Sequence, residues 1–140
     1  MDTVYADLKR FQGLNKMIKK KIEKYIPKAI EAIQKKELGI LRNNKVPKEY
    51  NGYISSFGAS IRQAGLLATV LFFDSKNAGS QEDRSKVLRA IELILGIENG
   101  KLKDKIADKS IKKQEIQDAA VALKLAIRTF KFEDKQNENG

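Results

Sequence analysis

Gly96-Ile97-Glu98-Asn99-Gly100-Lys101 has the outline of a phosphate-cradling loop, with flanking glycines and a lysine. It is too short by one residue, and Leu102 follows where a Ser or Thr would ligate magnesium, so the segment is expected to be a helix exit. Asp104 and Asp108 have the spacing to share a metal ion, yet Lys103, Lys105 and Lys109 surround them and repel cations. Glu82 and Asp83 form an acidic pair, which the sequence places in a first helical turn where the helix dipole accounts for them. The chain contains no Cys and no His, which removes thiolate nucleophiles, disulfides, zinc-finger ligands and the commonest general base. No catalytic constellation remains, and no metal, cofactor or small-molecule substrate is expected.

What the sequence does supply is positive charge. There are 28 Lys and Arg against 18 Asp and Glu, a formal net charge of +10, and residues 1–50 hold 13 basic against 6 acidic residues. Such a surface concentrates polyanions and gains free energy by releasing their condensed counterions, which makes nucleic acid the leading partner class. A merely solvated basic surface remains the alternative.

The lysines sit on an element with a clear period. Val4, Leu8, Phe11, Ile18, Ile22, Tyr25, Ala29 and Ile33 recur in steps of three, four or seven, the signature of an amphipathic helix. Pro27 falls opposite this stripe and leaves its phase unchanged, so one long bent helix is expected. Lys16, Lys20 and Lys24 project on the face opposite the stripe, with Lys9 and Lys28 at its edges. These five are the candidate RNA-binding residues. Their contacts would go to phosphates, which position a strand without reading its bases.

Further along, Gly39 and the polar run to Lys45 read as a stop and a loop, and Pro47 with Glu49 starts a second helix through Tyr50, Tyr53, Ile54, Phe57 and Ile61. Ala64-Gly65 ends or kinks it. Leu66 to Phe73 is apolar almost all round and is assigned to a buried helix, because no second strand-like segment is available to pair with it. Tyr53, Phe57, Ile61, Leu66, Leu71 and Phe72 are the expected core around Gly65. Ser80 is expected to cap a helix over about 81–95, Lys101 to Lys113 forms a second basic surface, and Ile116, Ala119, Ala120, Leu123, Ile127 and Phe130 line a last helix. The expected architecture is all-α: a compact bundle of five to six helices in one domain over residues 1–132, with a disordered tail at 133–140.

The block from Tyr50 to Phe73 resembles the small helical subunit of the type III-B CRISPR Cmr effector complex. In that family a Tyr-bearing helix runs into a Leu-Pro-x-x-Ile pattern, a Gly-Leu pair and a small, apolar run ending in Phe. Tyr53, Phe57, Ile61, Gly65, Leu66 and Phe72 take those places here, and Ser75-Lys76 follows. Gly58 stands where the family usually has proline. The resemblance implies a non-catalytic subunit that stacks with copies of itself, beside other Cmr effector subunits. There it would hold target RNA, alone or as a duplex with the guide RNA, in antiviral defence.

Three other readings fit parts of the sequence. The small subunit of the type III-A complex is also helical and basic. A protein adaptor would expose Tyr50, Tyr53, Phe57 and Phe73 to a partner. A membrane-surface protein would use the Lys-rich first helix, but that helix must give its apolar face to the core. No stretch is apolar and long enough to span a bilayer, and the N-terminus lacks a secretory signal, so a cytoplasmic protein is expected.

Overall fold

A computed structural model of the chain describes residues 2–75 and 82–133, with the side chains of residues 1–15, 17 and 18 outside the description. The periodicity of the first segment yields one helix, α1, Asp2–Gln34, which continues through Pro27. Pro27 is exposed while Ala29, Ala32 and Ile33 are buried, so the missing amide lies on the solvent side. The chain then turns through Lys36 to Leu38, and Gly39 takes a left-handed φ of +72°.

The polar loop that follows has a definite geometry. Asn43 and Asn44 have φ of 50° and 63°, and Arg42 and Lys45 exchange both backbone hydrogen bonds at 2.8 Å. This is a tight turn with two left-handed central residues, a conformation Asn tolerates because its short amide bonds locally. It delivers β1, Lys45–Val46, to a parallel pairing with β2, Lys131–Phe132, and the Glu133 amide donates to the Val46 carbonyl at 2.9 Å. This short ladder has no counterpart in the sequence reading, since two residues are too few to show an alternation. Residues 134–140 of the anticipated tail lie outside the described residues.

Helix α2, Lys48–Ala64, starts directly after Pro47, and α3, Leu66–Asp74, follows after Gly65 alone. Gly65 has φ 94° and ψ 165°, a conformation essentially confined to glycine. A Gly-Leu junction between helices suggests close packing as well as a tight turn. A Cβ built at Gly65 would meet nothing within 4 Å, however, so the dihedral is the whole requirement. The Gly65 carbonyl accepts from both the amide and the hydroxyl of Thr69, at 3.2 and 2.7 Å, which starts α3.

Helix α4, Ser85–Leu95, begins later than expected. Ser80 is outside the described residues, and Asp83, not Ser80, accepts from the Ser85 amide and hydroxyl at 2.9 and 2.6 Å. Gly96 closes α4 in the left-handed conformation, so the glycine loop is the anticipated helix exit. Helices α5, Leu102–Ala107, and α6, Lys113–Ile127, complete six helices among the described residues. α1 lies on α6 and α4, and α2 lies on α3 and α6. Each helix contributes to one apolar cluster, centred on Ile33, Tyr50, Phe57, Leu88, Ile91, Ile116 and Leu123.

The expected core around Gly65 needs correction on α3. Phe57 and Ile61 are buried and Tyr53 and Leu66 are half-buried, but Leu71 and Phe72 are 52% and 57% exposed. Thr69, Val70 and Phe73 are the buried positions instead. An apolar helix has no polar face to show which way it points, and here the stripe of residues 66, 69, 70 and 73 faces inward. Phe73 packs edge-on against Phe57, with ring centroids 5.2 Å apart.

Candidate nucleic-acid interface

Lys16, Lys20, Lys24 and Lys28 follow one another at i+4 along α1 and are all exposed, while Ile22, Tyr25, Ala29 and Ile33 turn toward the bundle. Each step advances about 6 Å along the axis and rotates about 40°. The four therefore form a shallow basic spiral on the solvent side. Lys9 lies in the part of α1 whose side chains are outside the description. Lys19 and Lys21 are also exposed and widen the basic surface beyond the residues that the sequence pattern singles out. Among the described residues no ion pair engages any of these lysines, although Glu23 and Glu31 on the same helix are exposed as well.

The second basic segment is more internally neutralised. Lys101 faces Asp104 at 3.8 Å, and Lys103 reaches Asp74 at 3.5 Å. Lys105, Lys109, Lys112 and Lys113 remain exposed and outside the described ion pairs. Asp108 is occupied locally: its carboxylate accepts from the Ser110 amide at 2.9 Å, and the Ser110 hydroxyl and amide hold its pKa below the ordinary value. Among the described residues there is no group of three acidic, His or Cys side chains arranged to hold a metal, and no helix is long and apolar enough to cross a membrane.

The acidic residues have structural duties that sequence spacing conceals. Glu82 lies outside the helix in which its spacing places it. It accepts two hydrogen bonds from Arg42, at 2.7 and 2.6 Å, while its carbonyl accepts from Tyr53 at 2.9 Å and its amide donates to Glu49 at 3.0 Å. The Tyr50 hydroxyl also points at Glu82, and burial first, then that carboxylate, raises the Tyr50 pKa far above 10. This cluster pins the start of the α4 segment to α2 and to the Asn turn. Glu92, with a side chain 2% exposed, accepts from the Leu102 amide at 2.9 Å and so caps α5. Arg89 ties it to Asp74, with contacts of 3.0 Å to each; the Glu92 contact is an ion pair without hydrogen-bond alignment. Partners 10 to 40 residues apart leave no local signal.

The aromatic surface that an adaptor would need is absent in that form. Tyr50, Phe57 and Phe73 are buried, and Tyr53 is half-buried and hydrogen-bonded. The exposed apolar side chains include Leu67, Leu71 and Phe72 on α3, with Val121 and Leu125 on α6. Arg84 lies over the Phe72 ring at 4.2 Å and donates to the Phe72 carbonyl at 3.2 Å.

Comparison with known proteins identifies the family. The family model described as CRISPR-associated protein (Cas_Cmr5) matches residues 14–132, which covers α2 to α6 and α1 from residue 14 onward. The chain belongs to this family, the small subunit of the type III-B Cmr complex. No curated protein and no solved structure matches it.

Proposed function

We propose that this Cmr small subunit is a non-catalytic RNA holder. It grips the sugar-phosphate backbone of the target strand, or of its duplex with the guide, through the basic spiral of α1. The observation that carries this is the row Lys16, Lys20, Lys24 and Lys28, exposed, outside any described ion pair, and segregated from the core face of the same helix. Lys9 extends the row in sequence. Ammonium groups on flexible stems follow a phosphate chain without demanding a base sequence, and each phosphate neutralised releases counterions.

A few such contacts bind weakly at physiological salt, so the site gains strength when copies stack and present several rows to one strand. The exposed Leu67, Leu71 and Phe72 on α3 are suited to the protein side of that assembly, against other Cmr subunits or further copies of the chain.

The experiment belongs in the assembled complex. A Lys16→Glu, Lys20→Glu, Lys24→Glu variant is expected to fold and assemble, since these side chains are exposed, but to hold target RNA less tightly. The reduction should be similar across target sequences. The salt dependence should flatten by roughly 0.7 in log–log slope for each phosphate of a single strand that the variant no longer neutralises. Unchanged affinity and slope would transfer the role to Lys105, Lys109, Lys112 and Lys113.

A further inference from the structure

We infer that the cleft where α1, α2 and α6 meet seats one unstacked RNA base, with guanine preferred. This rests on the reading of the chain as an RNA holder and adds to it a site that reads a base. The cleft has a volume of about 340 Å³, within the ~300–1,000 Å³ typical of small-molecule pockets, which are often set between helices.

Its chemistry centres on Asp118. The residue is 3% exposed, yet the hydrogen bond it accepts among the described residues comes from a neutral amide, Gln114 Nε2, at 2.8 Å. No described ion pair reaches it. A buried carboxylate is costly unless donors surround it, and among the described residues one hydrogen bond to this carboxylate leaves lone pairs for more. Arg62 and Lys124 line the same cleft but form no described ion pair with it. Ile54 and Val121 supply apolar walls, and Gln117 adds an amide.

Guanine matches this set. Its N1–H and N2–H₂ are adjacent donors that one carboxylate can accept together, and the Gln117 amide is a donor of the kind its O6 requires. Uracil offers the single donor N3–H with a carbonyl oxygen on each side, which the carboxylate repels, while adenine and cytosine offer one donor beside a ring acceptor. Splayed-out bases are recognised in this way in single-stranded RNA, by hydrogen bonds on the Watson–Crick edge and apolar contact on the ring face. Arg62 and Lys124 would meet the attached phosphate.

The test uses the full chain and the four ribonucleoside 5′-monophosphates, titrated while the side-chain amides of Gln114 and Gln117 and the backbone amide of Val121 are followed by NMR. GMP is expected to shift these signals saturably, at least about tenfold more tightly than UMP. Asp118→Asn should remove that preference. Should this variant not fold, the four-nucleotide comparison on the native chain decides by itself. Equal binding of all four, no saturable shift, or binding of an arginine peptide in place of GMP overturns the inference. If GMP fails while the α1 triple-glutamate variant still holds target RNA less tightly, the base site falls and the backbone grip stands. If both fail, the base site and the α1 grip fall together, and the backbone role passes to Lys105, Lys109, Lys112 and Lys113.

Discussion

Phe72 and Phe73 are neighbours with opposite fates, set by about 100° of helical rotation. Phe73 is 2% exposed and packs edge-on against Phe57, whereas Phe72 is 57% exposed with its ring under Arg84. Truncating Phe73 to Ala should cost about 3–5 kcal/mol, the transfer term plus the cavity left behind. The same change at Phe72 should cost less than about 1 kcal/mol, since it removes an exposed cation–π pairing and little burial. Urea unfolding of the two variants checks this; a large destabilisation at Phe72 would show that α3 is rotated to bury that ring. Placing Phe72 in the core follows from treating an all-apolar segment as all buried. With no polar residue from Leu66 to Phe73 except Thr69, nothing in the local pattern sets the rotation, and tertiary packing does.

At the level of elements, amphipathic stretches are the legible ones. α1, α2, α4 and α6 follow from their stripes, because a polar face and an apolar face together fix both the period and the direction of burial. The exposure of Lys16, Lys20, Lys24 and Lys28 is legible for the same reason: they lie opposite an apolar stripe. The roles of Glu82 and Glu92 are not, because their partners come from other elements, and the burial of Asp118 is not, because it is set by packing against neighbouring helices and not by its own spacing. The α2–α3 junction shows how one glycine decides an element boundary. Gly65→Ala should destabilise by about 1–3 kcal/mol through its positive φ alone, as there is open space for the methyl group. Gly52, inside α2 with no positive φ and no neighbour within 4 Å of a built Cβ, should respond in the opposite direction. Gly52→Ala is expected to stabilise by about 0.5–1 kcal/mol through helix propensity. Paired thermal melts of these two variants test the assignment, and a stabilising Gly65→Ala would refute it.

For the molecule as a whole, charge and burial meet in the pH dependence of stability. Tyr50 is fully buried, and burial first, then Glu82, raises its pKa above the usual 10; Tyr25 is raised too, by burial and then by Glu115 and Asp118. Above pH 10 the unfolded chain therefore releases phenolic protons that the native state keeps. The native state then binds more protons, so stability falls as pH rises, with the contribution fully present below pH 10. Tyr50 alone should give a slope of about 1.4 kcal/mol per pH unit there, and half-buried Tyr25 a smaller one. At the acid end Asp108 acts with the opposite sign, because its lowered pKa contributes stability that is lost as pH falls below the ordinary carboxylate range. Unfolding free energies measured from about pH 9 to about pH 12 should decline for the native chain and decline less steeply for Tyr50→Phe, which keeps the ring but cannot ionise. That variant also removes a hydroxyl facing Glu82, so it will start lower at neutral pH; the comparison rests on the slope. Equal slopes in the two proteins would mean that Tyr50 titrates normally, and that the Arg42–Glu82 cluster beside it is open to water in solution.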